Sequence, residues 1–177
     1  MQFVLCIIQS AILTLSYVGV AIVYGNELPE TGILTNYPMV EFYISIFLLM
    51  YAADAMGIMI SCLVKKEEAA NVLAPYILIV QLIFSGILFA MEGMADYISY
   101  VMISRWGMEA LGSIANLNDL PLKIQMTVPT VPHEFESRFD STPEHLLTVW
   151  AVLFGFIVVF LLVGNILLHR VSKDTKG

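Results

Sequence analysis

Charged residues are so unevenly spread along this chain that its apolar runs can be marked off directly. Residues Met1 to Tyr24 carry no charge. That run matches the ~20 residues a helix needs to cross a bilayer, so a span is expected over about 2–24. Between it and the next run lie Asn26, Pro29, Gly32, Asn36 and Pro38, all turn or breaker types, with the acidic Glu27 and Glu30. These predict a short loop between antiparallel helices. A second span is expected over about 39–64, charged only at Glu41, near its start, and at Asp54. Its Ala53, Gly57 and Ser61 share one helix face, and small residues so placed let helices approach closely in lipid. The tetrad Lys65, Lys66, Glu67 and Glu68 follows as a cytoplasmic turn, and a third span is expected over about 70–91. Pro75 falls in its first turns, where proline is tolerated. A fourth span over about 146–168 runs into His169, Arg170, Lys173 and Lys176.

The stretch 92–145 reads as an external loop. Within it, Met94 to Leu111 lacks proline and repeats apolar residues at helical spacing: Met94, Tyr97, Ile98, Val101, Met102, Met108 and Leu111. Arg105 and Glu109 are one turn apart and can pair. With Asp96, Arg105 and Glu109 aboard, the segment suits an interface-lying or re-entrant helix, its Tyr97, Tyr100 and Trp106 at headgroup level. From Asn116 to His145 the chain is polar and interrupted by Pro121, Pro129, Pro132 and Pro143. His133 and His145, with Glu134, Glu136 and Glu144 nearby, could in principle hold a metal, but solvated loop residues are the better reading, and no metal site is expected.

Composition agrees. The chain is 59% hydrophobic and 13% charged, whereas soluble domains are nearer half apolar and a quarter charged. An all-α integral membrane fold follows: four transmembrane helices plus an extracytoplasmic amphipathic or re-entrant helix. Cys6 and Cys62 both sit in apolar runs and do not make a disulfide framework. Met1 to Tyr24 lacks the basic start and short core of a signal peptide. A chain beginning inside a hydrophobic helix suggests a fragment or a missing upstream part. Orientation follows from the cations near the span ends. Lys65, Lys66, Arg170, Lys173 and Lys176 fall on one side, against Arg105, Lys123 and Arg138 in far more loop. The first side, with both termini, is therefore cytoplasmic, in a multi-pass cell-membrane protein.

Asp54 sits well inside its span, where a carboxylate costs about 2.5–3.5 kcal/mol on insertion scales. It reads either as a site on a transport path or as a polar contact to a neighbouring helix. Gln81 and Ser85, inside the third run, suit bonds across helices better than ligand binding. An intramembrane enzyme would need polar residues converging at one depth. Asp54, Gln81 and Asn165 offer no nucleophile and base, so no catalytic residue is assigned.

At Ile83-Phe84-Ser85-Gly86-Ile87-Leu88 the chain resembles the fifth transmembrane helix of ABC-2 type transporters, the G-subfamily exporters in particular. Ser104-Arg105-Trp106-Gly107-Met108-Glu109-Ala110-Leu111 resembles the segment Pro-Arg-Tyr-Gly-Phe-x-Ala-Leu of that family's re-entrant helix, with Ser104 in place of the proline. The likeness covers about Leu5 to Asn118, and the last span matches in position only. It implies that residues 1–177 are the C-terminal part of an ABC-2 transmembrane domain, equivalent to helices three to six of six. It also implies a hydrophobic valve at Ile87 and Leu88, cavity-lining Ile79 and Leu82, and a re-entrant helix holding Arg105, Trp106 and Gly107. The implied partners are a nucleotide-binding ATPase domain carrying ATP and Mg, a second permease copy and membrane lipid; nucleic acid is not among them. The sequence contains no phosphate-binding loop. The alternatives are a non-transporting membrane subunit or scaffold, or, less favoured, a small intramembrane enzyme.

Overall fold

The computed structural model describes residues 1–24, 29, 31–64, 67–88, 93–119 and 136–174, leaving aside the side chains of Glu67 and of 170–174. All regular structure among them is helical: α1 (Gln2–Val23), α2 (Pro38–Leu63), α3 (Glu67–Ile83), α4 (Met94–Ser99), α5 (Ile103–Ile114) and α6 (Pro143–Asp174), with 3-10 turns at Leu117–Asp119 and Ser137–Phe139. Three stretches are long and apolar enough to cross a membrane: Gln2–Val23, Pro38–Leu63 and Pro143–His169.

The long helices start where their prolines put them. Pro38 opens α2 after an extended Tyr37, because proline's missing N–H costs nothing in a first turn and its ring pushes the preceding residue out of the helical region. Pro143 opens α6 in the same way, and the Leu146 amide reaches back to the Thr142 carbonyl at 3.1 Å.

Helix α2 is the hub. It packs against α1, α5 and α6. The core lies where α2, α5 and α6 meet: Phe42 and Ala52, then Ile103, Ala110 and Ile114, then Leu146, Val149, Leu153 and Ile157. The α6 residues form one stripe at helical spacing. Across the same interface the Trp150 indole donates to Ser45 Oγ at 2.8 Å. Gly164 brings α6 close to the α2 backbone; a Cβ there would sit 3.7 Å from Met59 Cα. Helix α1 lies along α2 through Phe3 on Phe47 and Tyr51, and through Tyr17 on Phe42. The small face Ala53, Gly57 and Ser61 is exposed and unused within the chain. The small residues Ala52 and Ala55 of the same helix are buried instead.

The third apolar run departs from expectation. A helix over about 70–91 was the sequence reading, but α3 stops at Ile83, and residues 84–88 are turns. At ~1.5 Å per residue its 17 residues reach roughly 25 Å, short of a ~30 Å hydrocarbon core. Two residues end it. Gly86 adopts φ +80°, the left-handed conformation that commonly closes helices. Ser85 Oγ donates to the Leu82 carbonyl at 2.7 Å and accepts from the Ile87 amide at 3.2 Å. The hydroxyl thus serves backbone groups that the next helical turn would have served. Residues 89–92 lie outside the described residues.

Gly107 sets how closely α5 approaches α2. A Cβ there would lie 2.6 Å from both terminal carbons of Leu49. Gly107→Val should therefore cost about 1–3 kcal/mol by overpacking. Gly155→Ala, where nothing lies within 4 Å, should cost nothing measurable. Thermal unfolding of the two variants in detergent checks this, and equal midpoints would contradict it.

Candidate functional site

The hairpin of α4 and α5 is built around one buried cation. Arg105, on α5, is 3% exposed and Glu109 4%. The Arg105 guanidinium donates from Nε to Glu109 Oε1 at 3.0 Å, and from Nη1 to Asp96 Oδ1 at 2.6 Å and the Asp96 carbonyl at 3.1 Å. Nη1 also bonds Ser99 Oγ. Its carbon lies 3.7 Å from the centre of the Tyr100 ring, a cation–π geometry. Burial by itself would lower the Arg105 pKa, but the hydrogen bonds and charges of Glu109 and Asp96 more than offset this and raise it above its ordinary value. The guanidinium stays charged.

This cage explains a second departure from the sequence reading. The apolar spacing over Met94 to Leu111 suggests one amphipathic helix. The structure holds two, α4 and α5, with Met102 extended between them. In a continuous helix Asp96 and Arg105 would be two and a half turns apart, roughly 13 Å along the axis and on opposite faces. They can meet only if the chain breaks and folds back. The break is held by the Val101 amide to the Ile98 carbonyl and the Met102 amide to the Ser99 carbonyl. Trp106 Nε1 closes the same turn on the Tyr100 carbonyl at 2.9 Å.

The C-terminal end of α3 meets the start of α5 at Gln81 and Ser104. The Ser104 amide donates to Gln81 Oε1 at 3.1 Å, and its hydroxyl contacts both Gln81 Oε1, at 3.0 Å, and the Gln81 carbonyl. Gln81 Nε2 reaches Met56 Sδ on α2 at 3.7 Å. Ile79 and Leu82 are about half exposed on α3, and Ile87 and Leu88 about half exposed in the turns past its end. Beside them, Arg138 pairs with Glu136 at 2.6 Å and lies against Gly86, where any side chain would overlap the guanidinium. The loop ends are tied together by Asn118, whose Nδ2 donates to the carbonyls of Glu136, at 3.1 Å, and Phe139, at 3.0 Å.

Other positions are more scattered. Asp54 Oδ2 accepts from the Cys6 thiol of α1 at 3.0 Å, a polar contact to a neighbouring helix. Of the tetrad Lys65 to Glu68, Lys65 and Lys66 lie outside the described residues, Glu67 opens α3 and Glu68 is exposed. His133 and Glu134 lie outside them too, and no cluster of three metal-ligating side chains occurs among the described residues. Sequence reasoning passed over two sites. One is Ser104, treated only as a missing proline. The other is Glu41, fully buried, whose carboxylate collects the amides of Ile33, Leu34 and Thr35 at 2.6–2.8 Å. The breaker-rich loop before α2 was the only signal for it.

Residues 1–115 match the family model described as ABC-2 type transporter. The chain belongs to the ABC-2 type transporter family. It is also 28% identical over 164 residues to the "ABC transporter ATP-binding/permease protein Rv1747" of Mycobacterium tuberculosis. That alignment covers 89% of this chain and 17% of the relative, so the chain spans about a sixth of that protein's length. No solved structure matches the chain. This ABC-2 chain is thus a multi-pass membrane permease component of an ABC transporter. Its family-like segments fall on the features just described: Ile83 to Leu88 on the end of α3, and Ser104 to Leu111 on α5 around the Arg105 cage.

Removing the cation leaves Glu109 buried without a counter-charge. Arg105→Met should cost about 3–5 kcal/mol. Adding Glu109→Gln should restore a clear part of it, because the orphaned charge is gone. Denaturant titration in detergent micelles checks this; a double variant no more stable than the single one would show that the charge is not what the cage neutralises.

Proposed function

We propose that this ABC-2 permease is one half of a dimeric translocation path in an ATP-driven exporter, gated by a hydrophobic valve. One observation carries the reading. Among the described residues, helix α3 packs only lightly on its own chain, and its apolar side chains, Val72, Tyr76, Ile79 and Ile83 among them, are exposed on nearly every face. Past its end Ile87 and Leu88 are exposed as well. A helix so little covered by its own chain suits a place facing a second copy across a central path. There Ile79 and Leu82 line the cavity, and four branched side chains, two from each copy, close a plug that water does not wet.

Such a plug opens only when work is done on it. The resemblance to G-subfamily exporters and the name of the mycobacterial relative, an ATP-binding/permease protein, support a nucleotide-binding domain as the source, with ATP and Mg bound there. The mechanism is alternating access: nucleotide-driven approach of the ATPase domains is transmitted through the cytoplasmic turn at Lys65 to Glu68. The permease contributes no covalent chemistry. Its apolar path suits an amphipathic cargo. Both termini and the Lys65–Lys66 turn lie in the cytoplasm, and the loop from 92 to 145 lies outside.

Ile87→Ala with Leu88→Ala, in the intact transporter in liposomes, should raise carboxyfluorescein leakage and basal ATP hydrolysis. The expected size is at least on the order of tenfold, since the two changes remove six side-chain carbons per copy and the loss of about two buried ones already corresponds to roughly that factor. Unchanged leakage and hydrolysis would remove the valve. Cysteines introduced at Lys66 and His133 should react with a membrane-impermeant maleimide from opposite faces of the bilayer. Labelling from one face only would remove the topology.

A further inference from the structure

We propose that Gln81 and Ser104 are positioning residues that make the outer end of α3 and helix α5 one moving body. The gate then opens between copies of the permease and not by α3 swinging within its own chain. The valve reading above supplies what this motion accomplishes; the coupling itself stands on the joint between the two helices.

The joint is a reciprocal cap. An α-helix leaves its first four amides and last four carbonyls without partners. The Ser104 amide belongs to the first turn of α5, and the Gln81 carbonyl to the last turn of α3. The two helices settle these groups on each other. The Ser104 amide bonds Gln81 Oε1 at 3.1 Å, and the Ser104 hydroxyl bonds the Gln81 carbonyl. Pulling α3 from α5 would take the partners from an amide and a carbonyl on two half-buried residues, which is costly wherever water does not replace them. Proline in place of Ser104 could make neither bond, so this pairing is a property of this chain's own residue.

The neighbours favour the same unit. Helix α5 is seated in the α2–α6 core through Ile103, Ala110 and Ile114, with Gly107 against Leu49. Gln81 also touches Met56 of α2. On the far side of the turn, Arg138 lies against Gly86. The rest of α3 has only light packing. Its outer end is therefore carried by α5, and the segment holding Ile87 and Leu88 is carried with it.

The test uses the intact transporter with Gln81→Cys and Ser104→Cys in a Cys6→Ser, Cys62→Ser background. Oxidation in membranes should cross-link the pair, and ATP hydrolysis should stay within about twofold of the reduced form. Failure to cross-link, or hydrolysis lost on oxidation and regained with reductant, would overturn the coupling. If the double-cysteine protein is inert before oxidation, spin labels at Leu78 and Ala115, both exposed, decide the matter. Their distance within one copy should change by less than about 2 Å between nucleotide-free and vanadate-trapped states, an ordinary helix adjustment. A larger change would overturn the proposal. Neither readout depends on whether Ile87 and Leu88 form the plug, so a failed leakage assay would remove the valve and leave this coupling to be judged separately.

Discussion

A polar group moved from water into hydrocarbon costs several kcal/mol unless a partner waits for it. That constraint shapes this molecule more than the burial of apolar surface does, since lipid is as apolar as any leucine. No buried side-chain nitrogen or oxygen lacks a partner among the described residues. The solutions are local where they can be. Ser10, Thr14 and Ser16 in α1 and Ser61 in α2 return their hydroxyls to carbonyls three or four residues back. They are tertiary where they must be. Glu41 gathers the loop before α2, Trp150 reaches Ser45, and Asp54 takes the Cys6 thiol.

The Arg105 cage is the most demanding case. Three polar side chains and an aromatic face surround one guanidinium. Buried ion pairs are weak sources of net stability, because desolvation consumes most of the attraction. What this one supplies is geometry. It forces the break between α4 and α5, lays α4 across the start of α5, and leaves Met94, Tyr97 and Val101 exposed on the far side. Close packing completes the arrangement, with Gly107 on Leu49 and Gly112 on Phe139.

The bundle divides into a firm frame and a helix beside it. The α2–α5–α6 core is the frame, and α3 is the helix that stays largely outside it. Among the described residues, the side-chain hydrogen bonds between α3 and that frame are those of Gln81, with Ser104 of α5 and Met56 of α2. A family described by its membrane domain thus meets here a concrete joint, made of backbone groups that helix ends leave over.

Much of this was written in the chain itself. Period and run length marked three of the helices, since a membrane span is a local property: about twenty apolar residues and little charge. Pro38, expected at the end of the preceding loop, instead opens α2, whereas the pairing of Arg105 with Glu109 follows from helical spacing alone. The tertiary structure decided the rest. Asp96 is nine residues from Arg105 and unpairable in a single helix, so the break at 100–102 could not be seen until α5 was seated on α2. The end of α3 at Ile83 rests on Gly86 and Ser85, in a run whose hydropathy continues unbroken to Met91. Hydropathy reports what lipid tolerates, whereas hydrogen bonds to distant partners choose where a helix may stop, and partners such as Ser104 for Gln81 exist only once the chain has folded.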